Sequence, residues 1–462
     1  MLRIGPGPKS FSASFCSGPI SASVIGAMRG LLSLTAFPRT FGLVAPTIEL
    51  RPACASRIRW SGAAPLCYAL AMSTRSTVAF LKTETGAGLL LVAVAALALA
   101  WANSPWAEVY AAITGEMIPV RLGPFFEEMS VSGWVRAALM PVFFFVMGLE
   151  IKHEVVRGEL SNPRRLALPI LGGIGGVLAP ALIYVLANLG SGRLDGWPTA
   201  APTDVAVALA ALAVAGPRMP PTLRVFLLTM AVAAHLVTVI LIAALFTDSL
   251  RFPMLAGAAI TTAVLAAMAR WRAAPYAFWA VGGVLLWGFA LKSGVDTSLA
   301  GIAAAFCLPL EPKRVGGQGV LAETMAALHP YVGFFILPLF VFTTAGVRID
   351  PALVGPVSLG VACALFLGKQ AGVFGATALA LALKWARRPT GTRWIELYGV
   401  SALCGIGFTL SFYIGGLAVP ASDALAQAQI RAGVILGSLA SAALGVAVLL
   451  ASAARRAVET ET

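Results

Sequence analysis

Between residues 85 and 453 the chain alternates long apolar runs with short polar breaks, and almost every charge falls in the breaks. Only 11% of the 462 residues are charged and 59% are apolar, whereas soluble domains are roughly 25% charged. So few charges cannot cover a water-soluble surface, which excludes a soluble multidomain enzyme. The abundance of Leu, Val, Ile and Phe excludes a disordered chain. In a bilayer the backbone must satisfy its own polar groups, and runs of about 20 apolar residues do so as helices. The expected fold class is an all-α polytopic membrane protein.

Twelve segments are read, near 85–107, 131–151, 166–188, 204–216, 222–247, 252–269, 273–291, 297–310, 329–346, 357–383, 397–418 and 427–453. The fourth and eighth are too short to cross as straight helices. The breaks after even-numbered segments, with the tail, hold sixteen Lys/Arg, from Lys152 and Arg157 to Arg455 and Arg456. The alternate breaks hold five: Arg121, Arg193, Arg251, Lys292 and Arg348. That bias places both termini in the cytoplasm of a multi-pass inner-membrane protein. The net charge of +13 is thereby explained without a nucleic-acid partner.

Residues 1–71 differ from the rest. They carry seven Lys/Arg and one acid, Glu49, and have no long apolar run. They read either as a transit-type extension or as noncoding GC-rich DNA read in frame ahead of a true start at Met72. The expected organisation is therefore an extension, 1–71, disordered or mis-annotated, and a twelve-helix transporter domain, 72–462. The six cysteines form no C-x-x-C pair and read as small apolar packing residues. No HExxH, Walker A or GxSxG pattern occurs, so the chain is expected to be neither an enzyme nor a cofactor protein.

Two segments are broken inside the apolar region. Trp197-Pro198-Thr199-Ala200-Ala201-Pro202-Thr203-Asp204 precedes the fourth, and two prolines there forbid a continuous helix. An extended stretch entering a short helix near Asp204 is expected. The eleventh is interrupted by Cys404-Gly405-Ile406-Gly407-Phe408-Thr409. Segments three to five and ten to twelve correspond, each triplet broken in its middle with ionisable neighbours: Asp204 and His235, then Lys369. Paired interruptions of this kind point to a transport site at an inverted-repeat interface.

The stretches FFFVMGLEIKHE (Phe143 to Glu154), PTDVA (Pro202 to Ala206), LKSGV (Leu291 to Val295), LPLFVFTTAGV (Leu337 to Val347), Gly368-Lys369 and CGIGFTLS (Cys404 to Ser411) resemble, in order, the NhaA family of sodium/proton antiporters. That family is a type example of the inverted-repeat architecture. The resemblance covers roughly residues 85–453. It implies twelve helices, the fourth and eleventh unwound where they cross, with Pro202, Cys404, Gly405 and Gly407 at the crossing. It implies exchange of sodium or lithium for protons, driven by the proton gradient, in control of intracellular pH and sodium. Asp204, Thr203 and Lys369 fall on its ion pathway, and Glu150 and Glu154 on acidic positions at the cytoplasmic mouth that are pH-response candidates. Expected partners are sodium or lithium ions, protons and the lipid bilayer, with a second copy of the chain left open.

The departures are specific. The family's paired aspartates in the fifth helix fall on Ala234 and His235, and an acid in its second helix falls on Ala137, beside Arg136. Sodium, as a hard cation, calls for oxygen ligands, as calcium and magnesium do, and imidazole suits transition metals instead. Asp204 is left as the sodium-binding carboxylate, with Thr203, freed carbonyls and Thr238 as further oxygens. His235 reads either as a core residue or as a proton relay. Lys369 reads either as a proton carrier or as a cation neutralising helix C-termini, with Asp204 or those carbonyls as partners. His329 is expected to cap the ninth segment, Asp296 to pair with Lys292, and Arg136 to snorkel outward. An alternative stays open: a relative without cation exchange, serving assembly or regulation or moving protons or another solute.

Overall fold

The computed structural model describes residues 84–461 apart from 123–124, 159–162, 217–218, 248–249, 271–274 and 312–318. The expected extension at 1–71 lies outside the described residues. The chain forms α1 (Glu84–Ala102), a short α2 (Ala107–Gly115) and an antiparallel hairpin, β1 (Met117–Leu122) with β2 (Phe125–Ser130), in which Met117 faces Ser130 and Leu122 faces Phe125. Next come α3 (Val131–Val156), α4 (Pro163–Asn188), a 3-10 turn (Leu194–Ala200), α5 (Val205–Val214) and α6 (Pro221–Leu245). Then follow α7 (Phe252–Met268), α8 (Tyr276–Ser293), α9 (Thr297–Cys307), α10 (Val320–Ala345) and α11 (Pro356–Ala382). The last elements are α12 (Trp394–Leu403), α13 (Phe408–Ala418) and α14 (Ala424–Glu461).

Among the described residues eight helices are long and apolar enough to cross a membrane: α1, α3, α4, α6, α8, α10, α11 and α14. Two more spans are bent pairs, the 3-10 turn with α5 at 49° and α12 with α13 at 46°. The apolar helices α7 and α9 are shorter than a full span. Each of the twelve apolar segments thus has a helical counterpart, and the protein is an all-α polytopic membrane protein. The two broken segments are the ones that proline and glycine marked.

Small residues allow close helix approach, as they do generally in membranes. Gly175 of α4 and Gly372 of α11 each lie against the other's carbonyl oxygen, so a Cβ on either would collide. Gly301 of α9 sits likewise on the Pro141 carbonyl of α3. Lys152 of α3 donates to the Phe306 and Leu308 carbonyls, both at 2.6 Å, which fixes the C-terminal end of α9 beside the Glu150–Glu154 end of α3. At the start of α12 the buried Glu396 accepts from Ser452 (3.0 Å) and Arg456 (2.8 Å) of α14.

Three local expectations are corrected. His329 does not cap a helix. It lies inside α10, which begins nine residues earlier and tolerates Pro330 because the helix widens into a π turn, Val332–Ile336, directly after it. Arg136 does not snorkel away but donates to the Gly416 carbonyl of α13 at 3.2 Å. The stretch before Asp204 is not extended throughout, because Leu194–Ala200 is a 3-10 turn and the extended backbone follows it.

Candidate functional site

The two broken spans meet where they are unwound. The Asp204 N–H donates to the Ile406 carbonyl (2.7 Å), and the Thr203 hydroxyl donates to the Cys404 carbonyl (2.7 Å). Prolines and glycines produce this by local sterics. Pro202 cannot donate a helical hydrogen bond. Gly405 packs against Ser441 Oγ and the Leu365 carbonyl, and Gly407 against Ser411 Oγ, where a Cβ has no room. Phe408 starts α13 with a φ of 27°, a strained value for a non-glycine residue of the kind found at functional sites. The freed N–H groups of Gly407 and Phe408 reach Ser438 Oγ of α14 at 3.3 and 3.4 Å.

Asp204 stands at the N-terminal ends of both second halves. Its Oδ1 accepts from the Val207 N–H of α5 (3.1 Å). Its Oδ2 accepts from the N–H (3.1 Å) and hydroxyl (2.5 Å) of Thr409 at the start of α13. Helix N-termini carry partial positive charge, so two of them converge on one carboxylate. Thr409 is the residue that sequence reasoning missed. Its signal was its position: a hydroxyl two residues past the Gly-x-Gly break, at the first turn of a new helix.

Lys369 takes the complementary place. It is fully buried, flanked by π turns at Ala364–Gly368 and Gln370–Phe374. Its Nζ donates to the Ala201 carbonyl (2.5 Å) and lies 3.4 Å from Thr203 Oγ1. Of the two partners expected, the freed carbonyl is the one found, and no ion pair with Asp204 appears among the described residues. Thr203 spends its hydroxyl on Cys404, and Thr238 is buried without a hydrogen-bond partner. Neither lines the cavity described next, whose inner end carries Asp204 and Thr409 instead.

His235 is tied to the same crossing. Its Nε2 lies 3.0 Å from the Thr203 carbonyl, and its Nδ1 has no hydrogen-bond partner. It is buried, and it links α6 to the unwound stretch before α5.

A cavity of about 230 Å³ joins these residues to one end of the protein. Asp204, His235 and Thr409 line its inner part, and Glu150, His153, Glu154 and His329 line its mouth. His329 Nδ1 lies 3.9 Å from Glu150, and His153 Nδ1 lies 4.0 Å from Glu154. Between them the walls are apolar, from Phe143, Met147, Leu228 and Leu337 among others. The mouth acids and the crossing residues, 50 or more positions apart in sequence, thus share one passage. Among the described residues no group of three His, Cys, Asp or Glu is arranged to hold a metal ion.

A family model described as Na+/H+ antiporter 1 matches residues 78–449. The chain belongs to this family. Its relatives include proteins named Na(+)/H(+) antiporter NhaA 2 from Pseudomonas syringae, 42% identical over 82% of this chain and 95% of that protein, and Na(+)/H(+) antiporter NhaA from Mesorhizobium japonicum, 42% identical over 83% and 96%. A third, Na(+)/H(+) antiporter NhaA from Rhodospirillum rubrum, is 41% identical over 84% of this chain and 100% of its own length. These relatives are transporters by name, not enzymes.

Proposed function

We propose that the protein exchanges sodium or lithium ions for protons at Asp204. The observation that carries this reading is the fully buried carboxylate at the inner end of a cavity whose mouth bears Glu150 and Glu154. A carboxylate that takes either a proton or a cation, but not both, couples their movements. Held between two helix N-termini, Asp204 is anionic when ready for a cation. The Thr409 hydroxyl, which now donates to it, turns to present its oxygen to an arriving ion. Lys369 neutralises the carbonyl end at Ala201 and so keeps the crossing intact while the ion changes. His235 retains Nδ1 for a proton. Glu150 and Glu154 raise the local cation concentration at the mouth.

The charge bias supports a mouth facing the cytoplasm, both termini on that side, and an inner-membrane location. The family match at 78–449 supports residues 72–462 as the transporter unit. A two-stranded hairpin with exposed Met117, Ile118 and Phe126 leaves strand edges that support contact with a second copy.

The test is uptake of radioactive sodium into proteoliposomes driven by an imposed pH gradient, lumen acidic. Uptake that collapses when the gradient is dissipated supports exchange. Absence of uptake by folded protein for both sodium and lithium, across pH, overturns it.

A further inference from the structure

One carboxylate, Asp204, faces the cavity at the crossing, and a second lies one helical turn farther along α13. Thr409 and Tyr413 are four residues apart on that helix and so share a face, separated by about 6 Å along the axis. Thr409 holds Asp204, and the Tyr413 hydroxyl donates to Asp296 Oδ1 at 2.8 Å. Asp296 lies on the far side of Asp204 from the cavity mouth. It begins α9, whose opposite end is held by Lys152 beside the mouth. Tyr413 is buried between Phe144 of α3 and Phe340 of α10, at ring distances of 4.9 and 6.1 Å. None of these three rings lines the cavity that reaches Asp204, and Asp296 is only half-buried.

We propose that Asp296 is the far-side carboxylate of the transport route, and that Tyr413 is the seal that hydrogen-bonds it while the cavity is open at the mouth. This rests on the exchange reading above. When the seal opens, the Tyr413–Asp296 bond breaks. Asp296 then passes a sodium ion or a proton between Asp204 and the water on that side, each displacing the other from the same oxygen atoms.

The ordinary explanation of Asp296 is helix capping, since Ser298 donates to it through both N–H and hydroxyl. Capping does not account for the phenol arriving from another span. Neighbouring charge does not claim the carboxylate either. Lys292 pairs with Glu127 and donates to the Phe126 carbonyl, so the expected Lys292–Asp296 pair does not form. Gly294, at φ 85°, ends α8 between them. Arg136 from α3 is held by the Gly416 carbonyl, the next step along α13.

The experiment compares wild type, Asp296→Asn, Asp296→Glu and Tyr413→Phe for sodium-driven proton movement in inside-out vesicles. In parallel, labelling of Asp296 in purified full-length protein by a hydrophobic carbodiimide is measured by mass spectrometry, with and without sodium. Asparagine caps a helix as well as aspartate, so Asp296→Asn keeps the fold while removing the charge. We expect Asp296→Asn to slow exchange roughly a hundredfold, the scale of a lost proton-transfer group, with partial recovery in Asp296→Glu and sodium protection of Asp296 from the reagent. Exchange by Asp296→Asn at the wild-type rate overturns the proposal. Inert wild type with sodium-protected Asp296 rejects the exchange reading but keeps the far-side cation site. Inert wild type without protection rejects both.

Discussion

Thr409→Val is the perturbation whose effect is most directly set by the geometry. Valine is close in shape to threonine and keeps the backbone N–H that donates to Asp204 Oδ2 at 3.1 Å. It removes only the hydroxyl, at 2.5 Å from the same oxygen. A hydrogen bond to a charged group contributes about 1.5–3 kcal/mol. Cation binding needs the charged carboxylate, and proton binding does not. When a cation arrives the hydroxyl exchanges this bond for a contact of its oxygen with the ion, so a loss of similar size falls on the cation-bound form, and the apparent KM for sodium should rise about tenfold to a hundredfold. The maximal rate at saturating sodium should change much less. The assay is the sodium-concentration dependence of pH-gradient collapse in inside-out vesicles, with Thr409→Ser as the control that restores the hydroxyl. An unchanged KM in Thr409→Val, in vesicles with wild-type protein levels, refutes the role given to this residue.

Other substitutions test the surrounding framework. Lys369→Met leaves the Ala201 carbonyl without its donor and should lower thermal stability in detergent by about 1–3 kcal/mol, read by a melting assay. Glu150→Gln with Glu154→Gln removes two charges from the mouth and should weaken apparent sodium affinity at low ionic strength but not at high, because exposed charge is screened. Gly372→Leu forces a side chain onto the Gly175 carbonyl and should prevent recovery of folded protein in a monodispersity assay. Ala234→Asp with His235→Asp adds oxygen ligands beside the crossing and should strengthen sodium-dependent exchange, measured as initial rate.

The fold was legible because its determinants are local. Apolar length marks the spans, and Pro198, Pro202, Gly405 and Gly407 mark the two breaks without reference to anything distant. The site was legible only in part. Asp204 and Lys369 stood out as ionisable groups in apolar surroundings. Lys369's partner was legible as a kind, a carbonyl freed at a helix break, but not as Ala201 itself, because that carbonyl is 168 residues away in sequence and a main-chain oxygen leaves no residue signature. Thr409 looked like an ordinary hydroxyl in an apolar run. Proximity in sequence misled in two places. Lys292 and Asp296 seemed paired, yet Lys292 pairs with Glu127, and Pro330 suggested a helix start where α10 instead widens. Of the six cysteines read as packing residues, Cys307 and Cys404 are buried free thiols, Cys363 is half-buried, and Cys16, Cys54 and Cys67 lie outside the described residues.

The central claim is that Asp204 couples sodium to protons at the crossing without aspartates in the helix that carries His235. The most direct test is sodium- and lithium-dependent collapse of a pH gradient in inside-out vesicles, wild type against Asp204→Asn. A charge about 4 Å from a cation contributes about 4 kcal/mol near a protein surface, so Asp204→Asn should weaken ion-dependent exchange roughly a thousandfold, to background. A wild-type response that survives in Asp204→Asn would contradict the account and place the coupling carboxylate elsewhere.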